Sequence, residues 1–366
     1  MLSIRELNRA MLARQMLLER HDVGVVPAIE RIAALQAQWA PSPYIALWSR
    51  VQGFERAALW SAIEHARVIR ARLMRGTLHL VSARDFYAYA VATQDLQRAA
   101  RNRLQVGRGV DTAQITRLAT AFARTPRAKE EVIAHLTERV GALGGPYGWL
   151  IWRFVSAHAD LVSAPPGGRY DYGGTDAPYV AARHWMKGGE RPTEDAAVEL
   201  LIRRALAAFG PVTLADIAKF AGQVPARIRP VLERLAPKLA TFADERRRPL
   251  YDLPRAPRPD AETHAPVRFL PRYDEALIAY QHRDRIIAAR HRPSIYSKNA
   301  IVEAVVLVDG FVAGTWALDR GKTDAIVRVE PFAKLAAGDR AEAAAEGERL
   351  AHFMAPDAKV HGVRFT

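Results

Sequence analysis

Two glutamines one residue apart, Gln36-Ala37-Gln38, carry the side chains of this sequence best suited to holding a water or a polar substrate edge without adding charge. They close an apolar helical run (Val26, Ile29, Ile32, Ala33, Leu35) and are followed by Trp39-Ala40-Pro41-Ser42-Pro43. A residue before proline is pushed out of the α region, so Ala40 and Ser42 are expected to end that helix at the glutamines. On a helix the two amides would point about 200° apart, whereas in an extended or terminating segment positions i and i+2 share a face and can be aimed at one point. Taken alone, the spacing fits two surface glutamines at a helix end better.

What lies near them changes the weighing. Arg67-Val68-Ile69-Arg70-Ala71-Arg72-Leu73-Met74-Arg75-Gly76-Thr77-Leu78-His79-Leu80-Val81 alternates in part and contains one glycine, the pattern of a β-hairpin. A run of arginines is more often a solvated face than a binding site. Here it neighbours the amide pair and several aromatic side chains, which favours nucleic-acid contact through Arg67, Arg70, Arg72, Arg75, Thr77 and His79, with Trp39 and Tyr44 alongside and Arg169 in a later hairpin. For His79 alone, between Leu78 and Leu80, a hydrogen-bonded core role is the default.

Composition bounds the classes. The chain has 366 residues, 49% hydrophobic and 25% charged, enough for several packed domains. A formal charge of +14 points to a polyanionic partner. The excess is concentrated early: residues 1–110 hold sixteen arginines and no lysine against eight acidic residues, and arginine's planar fork suits phosphate. Cysteine is absent, which excludes disulfides and thiolate metal sites and suggests a reducing compartment. No signal peptide or apolar stretch of membrane length occurs, so a cytoplasmic protein without membrane contact is expected. The eleven histidines show no His-x-x-x-His spacing, and no phosphate-cradling glycine motif is present. Neither metal nor cofactor is expected.

The elements that must position these residues repeat. Helices are predicted over 3–20, 44–51 and 56–66 before the basic hairpin, and a long helix over 83–104 after it. Helices near 112–123, 127–140 and 147–159 precede a second hairpin over 161–172 with a loose tip. A third copy has helices over 193–208, 214–221 and 226–235 and strands over 238–243 and 249–253, with Thr213 as N-cap and Asp216 three residues on. Pro254 to Pro259 reads as a linker. Beyond it, Ile301–Val308, Asp309-Gly310 and Phe311–Leu318 form a strong hairpin signal, with a strand over 325–329 and a helix over 339–354. The expected fold is mainly α with β-hairpin wings (α+β): winged helices over 1–105, 106–190 and 191–255, then a small β-rich domain over 264–366.

Together, Gln36-Ala37-Gln38 with its aromatic and prolines, Arg75-Gly76-Thr77-Leu78-His79-Leu80, Phe269-Leu270-Pro271-Arg272-Tyr273-Asp274 and Asp309-Gly310…Gly314-Thr315-Trp316 resemble the winged-helix DNA glycosylases of the AlkZ and YcaQ family. The resemblance spans nearly the whole chain, and the Gln-x-Gln form is similar to the crosslink-unhooking branch. It implies three tandem winged helices, a C-terminal β-barrel, and Gln36 and Gln38 as catalytic residues. The implied activity is hydrolysis of the N-glycosidic bond of alkylated, cationic N7 or N3 purines in double-stranded DNA, including crosslinks, by a monomer. No lysine lies near the glutamines in sequence, Lys129 being the first, so no imine chemistry is expected. A second reading, a winged-helix regulator or architectural factor without activity, is expected to dimerise on a palindromic site. Asp274 and Trp316 are expected to be structural rather than to line a DNA channel.

Overall fold

A computed structural model describes residues 1–103, 111–140, 148–174, 176–297 and 299–366, with backbone alone described over 95–103 and 148–151. The first unit holds α1 (Ile4–Arg14), α2 (Val25–Arg31), β1 (Leu35–Gln36), α3 (Ser42–Trp48), α4 (Arg56–Glu64), β2 (Val68–Arg72), β3 (Leu78–Ser82) and α5 (Ala83–Arg103). Ser3 and Glu6 cap α1 reciprocally, satisfying amides that a helix start leaves unpaired. The expected helix through the glutamines stops early. α2 ends at Arg31, Ala33 turns the chain at φ 74°, and Leu35 and Gln36 add a third strand to the hairpin, in the order β1-β3-β2. Ser42 and Pro43 begin α3 rather than ending a helix, because a proline in the first turn gives up an amide that has no intrahelical partner there.

The second unit contains α6 (Thr112–Phe122), α7 (Lys129–Val140), α8 (Gly148–His158), β4 (Leu161–Ser163), β5 (Tyr179–Ala181) and α9 (Ala182–Trp185). The return strand of its hairpin is Tyr179–Ala181, not the stretch up to Tyr172. Pro165 and Pro166 have no amide hydrogen to give a ladder, so the chain loops out first. The third unit holds α10 (Glu194–Phe209), α11 (Leu214–Ala221), α12 (Pro225–Leu235), β6 (Ala240–Ala243) and β7 (Pro249–Asp252), with Thr213 and Asp216 forming a capping box at α11. The expected linker is strapped down: buried Arg14 donates to both carboxylate oxygens of Asp252 and to Pro257 O, and Arg258 pairs with Asp252 at 2.6 Å.

The last unit has β8 (Arg268–Leu270), α13 (Glu275–Ile278), α14 (Arg292–Ile295), β9 (Val305–Val308), β10 (Phe311–Arg320), β11 (Asp324–Pro331), α15 (Ala337–Met354) and β12 (Val360–Phe365). Asp309 and Gly310, at φ 47° and 80°, make the tight turn between β9 and β10. The sheet is open, in the order β12-β11-β10-β9-β8, so the expected closed barrel is not formed. α15 is a crossover that returns β12 parallel to β11 and lies against the sheet, leaving β8 and β12 as separate edges. One core joins Met11 of α1, Tyr89 of α5, Phe209 of α10 and Leu277 of α13, so the C-terminal unit is packed into the body beside β1. Among the described residues no helix is long and apolar enough to cross a membrane.

Candidate active site

β1 reaches the site as a two-residue strand whose Gln36 sits opposite His79 of β3. The backbone amide of Ala37 donates to Leu78 O at 2.7 Å, and the amide of Leu78 donates to Gln38 Oε1 at 3.0 Å. Pairing with β3 thus continues through side chains after the regular ladder ends. Gln38 lies in a bend and is exposed, whereas Gln36 is 7% exposed. The shared face expected from i, i+2 spacing is not realised, because β1 ends at Gln36 and the bend at Gln38 breaks the alternation.

The two amides border different spaces. Gln38 lines an open cavity of about 540 Å³ whose wall also includes Trp39, Arg70, Arg72, Lys129, Trp152 and Tyr172. Gln36 lines a small interior space of about 10 Å³, the size of one water, together with Arg50, Asp274 and Glu275. The cavity lies between the hairpin of the first unit and α7, α8 and β5 of the second.

The arginines divide into outward and inward groups. Arg70 donates to Ser163 Oγ at 3.1 Å and to Ala37 O at 3.3 Å, and Arg72 donates to Gly76 O at 2.6 Å. Neither meets a carboxylate among the described residues. Burial pushes Arg70 below the ordinary arginine value, and burial with the neighbouring Arg153 charge pushes Arg72 down to about 10. Both remain cations at neutral pH, half-buried and without a counter-charge, an arrangement that favours an anion from outside. Arg67 is exposed, and Arg169 is exposed and paired with Asp171 at 2.5 Å.

Four residues expected at the DNA face turn inward. Arg75 Nη2 donates to Gln36 Oε1 at 3.2 Å and to Glu275 Oε1 at 2.5 Å, and Nη1 donates to Phe220 O at 2.8 Å. His79 is fully buried; its Nδ1 lies 2.9 Å from Thr77 O and its Nε2 3.1 Å from Arg75 Nη2. Burial and the Arg75 charge hold His79 below its ordinary value, so the ring is neutral, Nδ1 donating and Nε2 an acceptor that shares the two Nη2 hydrogens of Arg75 with Gln36 and Glu275. The 3.2 Å approach of Nε2 to Glu275 is then a close contact rather than a hydrogen bond. Thr77 donates its hydroxyl to Met74 O within the turn. Tyr44 is fully buried and donates to Gly168 O at 2.8 Å. Each satisfies polar groups the fold would otherwise bury unpaired.

Asp274 and Trp316 have structural partners: Asp274 takes Arg50 in a bidentate pair at 2.8 and 2.9 Å and caps α13, and Trp316 Nε1 donates to Leu270 O at 2.9 Å. Sequence reasoning missed Glu275, Lys129, Trp152 and Tyr172. Glu275 directly follows the Phe269-to-Asp274 motif, the one signal that could have found it. The other three have none, since their place at the cavity depends on how the second unit docks. Burial opposes ionisation of Glu275, but Arg75 beside it outweighs that and holds the carboxyl below its ordinary range. Among the described residues, no cluster of three or more His, Cys, Asp or Glu could hold a metal ion.

The site thus pairs a buried amide backed by an ion pair with an exposed amide at a basic aromatic cavity. The chain belongs to the AlkZ-like DNA glycosylase family, whose model matches residues 29–353. It is therefore an enzyme, a DNA glycosylase of DNA repair, and the regulator reading is set aside. Among solved structures, Streptomyces sahachiroi DNA glycosylase AlkZ is similar over 100% of both chains, with a TM-score of 0.82 at 18% identity, a likeness of fold. No match was found among curated proteins.

Proposed function

We propose that this glycosylase hydrolyses the N-glycosidic bond of N7- or N3-alkylated purines in duplex DNA, interstrand crosslinks included, as a metal-free monomer that uses water rather than a lysine as nucleophile. Three tandem winged helices over 1–105, 106–190 and 191–255 would embrace the duplex, with 264–366 as a supporting sheet domain. The observation that carries the reading is Gln38 at the rim of the 540 Å³ cavity, beside Arg70 and Arg72, two half-buried cations with no carboxylate partner among the described residues.

Glutamines suffice because of the substrate. Hydrolysis of most glycosides needs two carboxyl groups, one to protonate a poor leaving group and one to activate water or attack. An alkylated purine already carries a positive charge, so breaking the bond to C1′ returns the electron pair to a ring that leaves neutral. The site must only steady an oxocarbenium-like sugar and place a water, whose oxygen bonds to C1′ and whose proton passes to solvent. Each carbonyl oxygen already accepts one donor, Arg75 for Gln36 and the Leu78 amide for Gln38, and keeps a second lone pair. Flanking phosphates would meet Arg70 and Arg72, while Trp39 and Tyr172 offer faces for stacking.

Incubation with duplex DNA containing N7-methylguanine should generate abasic sites, leave undamaged duplex intact and survive excess EDTA. Absence of abasic sites would reject the substrate class. Loss on chelation, restored by a divalent ion, would reject the metal-free chemistry.

A further inference from the structure

Gln36 is not held by its own strand. Its carbonyl oxygen meets Arg75 Nη2, and that guanidinium is fixed from three sides: Glu275 Oε1 at 2.5 Å, His79 Nε2 at 3.1 Å and Phe220 O at 2.8 Å. These partners come from three parts of the chain, the C-terminal unit, the hairpin and the end of α11. The backbone is equally constrained. Arg75 takes a left-handed conformation at φ 53° and ψ 11°, uncommon for a side chain of this size. Gly222 packs against it so closely that a Cβ there would lie 2.5 Å from the Arg75 nitrogen.

Arg75 decides which way the Gln36 amide faces. Were the amide turned over, its NH₂ would oppose a guanidinium N–H, donor against donor. What keeps Arg75 in place is Glu275, whose side chain is 3% exposed and whose carboxylate is the one paired with Arg75 among the described residues. Glu275 Oε2 is also buried, and no donor among the described residues reaches it. Burying this carboxylate carries a desolvation cost that a neutral residue would not, offset here by Arg75. Glu275 also shares with Gln36 the wall of the water-sized space.

We infer that Glu275 is a positioning residue for base excision: its charge anchors Arg75, which orients the carboxamide of Gln36 for catalysis. The inference rests on the proposed glutamine mechanism and extends it to the C-terminal unit, whose contribution to the reaction would be this carboxylate.

A double-mutant cycle tests it, with single-turnover excision of N7-methylguanine from duplex DNA and duplex affinity as readouts. Glu275→Gln keeps the shape and removes the charge. It should slow excision at least tenfold while Kd changes less than twofold, and it should cost nothing further in a Gln36→Ala background, because both changes remove one device. An equal cost in both backgrounds, an unchanged rate, or a parallel loss of affinity would overturn the positioning role and leave the glutamine mechanism standing. A wild-type rate for Gln36→Ala would instead overturn the mechanism and this inference with it. If Glu275→Gln fails to fold, the double change Arg75→Met with Glu275→Leu removes both charges at similar volume and is expected to fold; it should show the same slow, non-additive excision, and wild-type excision by it would reject the inference.

Discussion

Arg70 donates a hydrogen bond to the carbonyl oxygen of Ala37, the residue between the two glutamines, at 3.3 Å. A half-buried cation without a carboxylate partner among the described residues is thereby tied to the peptide that sets the spacing of the two glutamines. A phosphate drawn to Arg70 would settle beside the motif. Binding and alignment then share one side chain.

Because Arg75 is committed to Glu275, changing Arg70 and Arg72 to alanine should weaken binding to damaged and undamaged duplex alike. The log–log salt dependence should become shallower by roughly 0.9 for each phosphate that is no longer neutralised. Arg75→Ala should leave that slope unchanged. A slope insensitive to Arg70 and Arg72 would remove the hairpin from the interface.

Gln38→Ala should bind N7-methylguanine duplex nearly as well as the parent and lose roughly 10²–10⁴-fold in single-turnover excision, the range for one positioned polar group. Gln36→Ala should do likewise, although its side chain is the more buried. Gln38→Asp should retain activity on this simple lesion, since a carboxylate is the better base. Parental rates for both alanine variants, with melting temperatures showing them folded, would return the motif to a structural role.

Lys129 shares the cavity wall with Gln38 despite its distance in sequence, so the absence of a nearby lysine in the chain is no argument against imine formation. If water is the nucleophile, borohydride should trap no covalent adduct between the enzyme and an abasic duplex, and Lys129→Ala should excise at the parental rate. An adduct that disappears in Lys129→Ala would mean that the amine attacks C1′.

Acid should destabilise the protein through the same inward cluster. The unfolded chain protonates His79 near 6.5, while the folded chain holds it neutral to lower pH because of its burial, so stability should fall as pH drops through 6.5. Glu275, held below its ordinary 4.5 by Arg75, adds stability above that value and loses it as pH falls through its lower folded value. The two act in one direction. His79→Gln should flatten the fall in melting temperature between about pH 7 and pH 5.5, and an unchanged slope would remove His79 as its cause.

Much of this protein was legible in one dimension because it is locally encoded. The Ser3 and Thr213 caps, the arginine-rich hairpin and the Asp309-Gly310 turn depend on residues close to one another in the chain, and each formed as expected. Closure of the C-terminal sheet was misjudged because pairing of β8 with β12 is a matter of crossover geometry, not of period. The glutamines needed the fold most. The strand that carries Gln36 has two residues, too short for a periodicity, and exists because β3 satisfies its backbone. Which arginines face outward was likewise invisible, since the alternation of β2 does not extend into the turn that carries Arg75. Only the docking of α13 and α11 against that turn put Glu275 beside Arg75, removed Arg75 from the surface and left Arg70 and Arg72 as cations without a carboxylate partner among the described residues. Side chains far apart in sequence acquire a common electrostatic environment only when packing excludes the water between them.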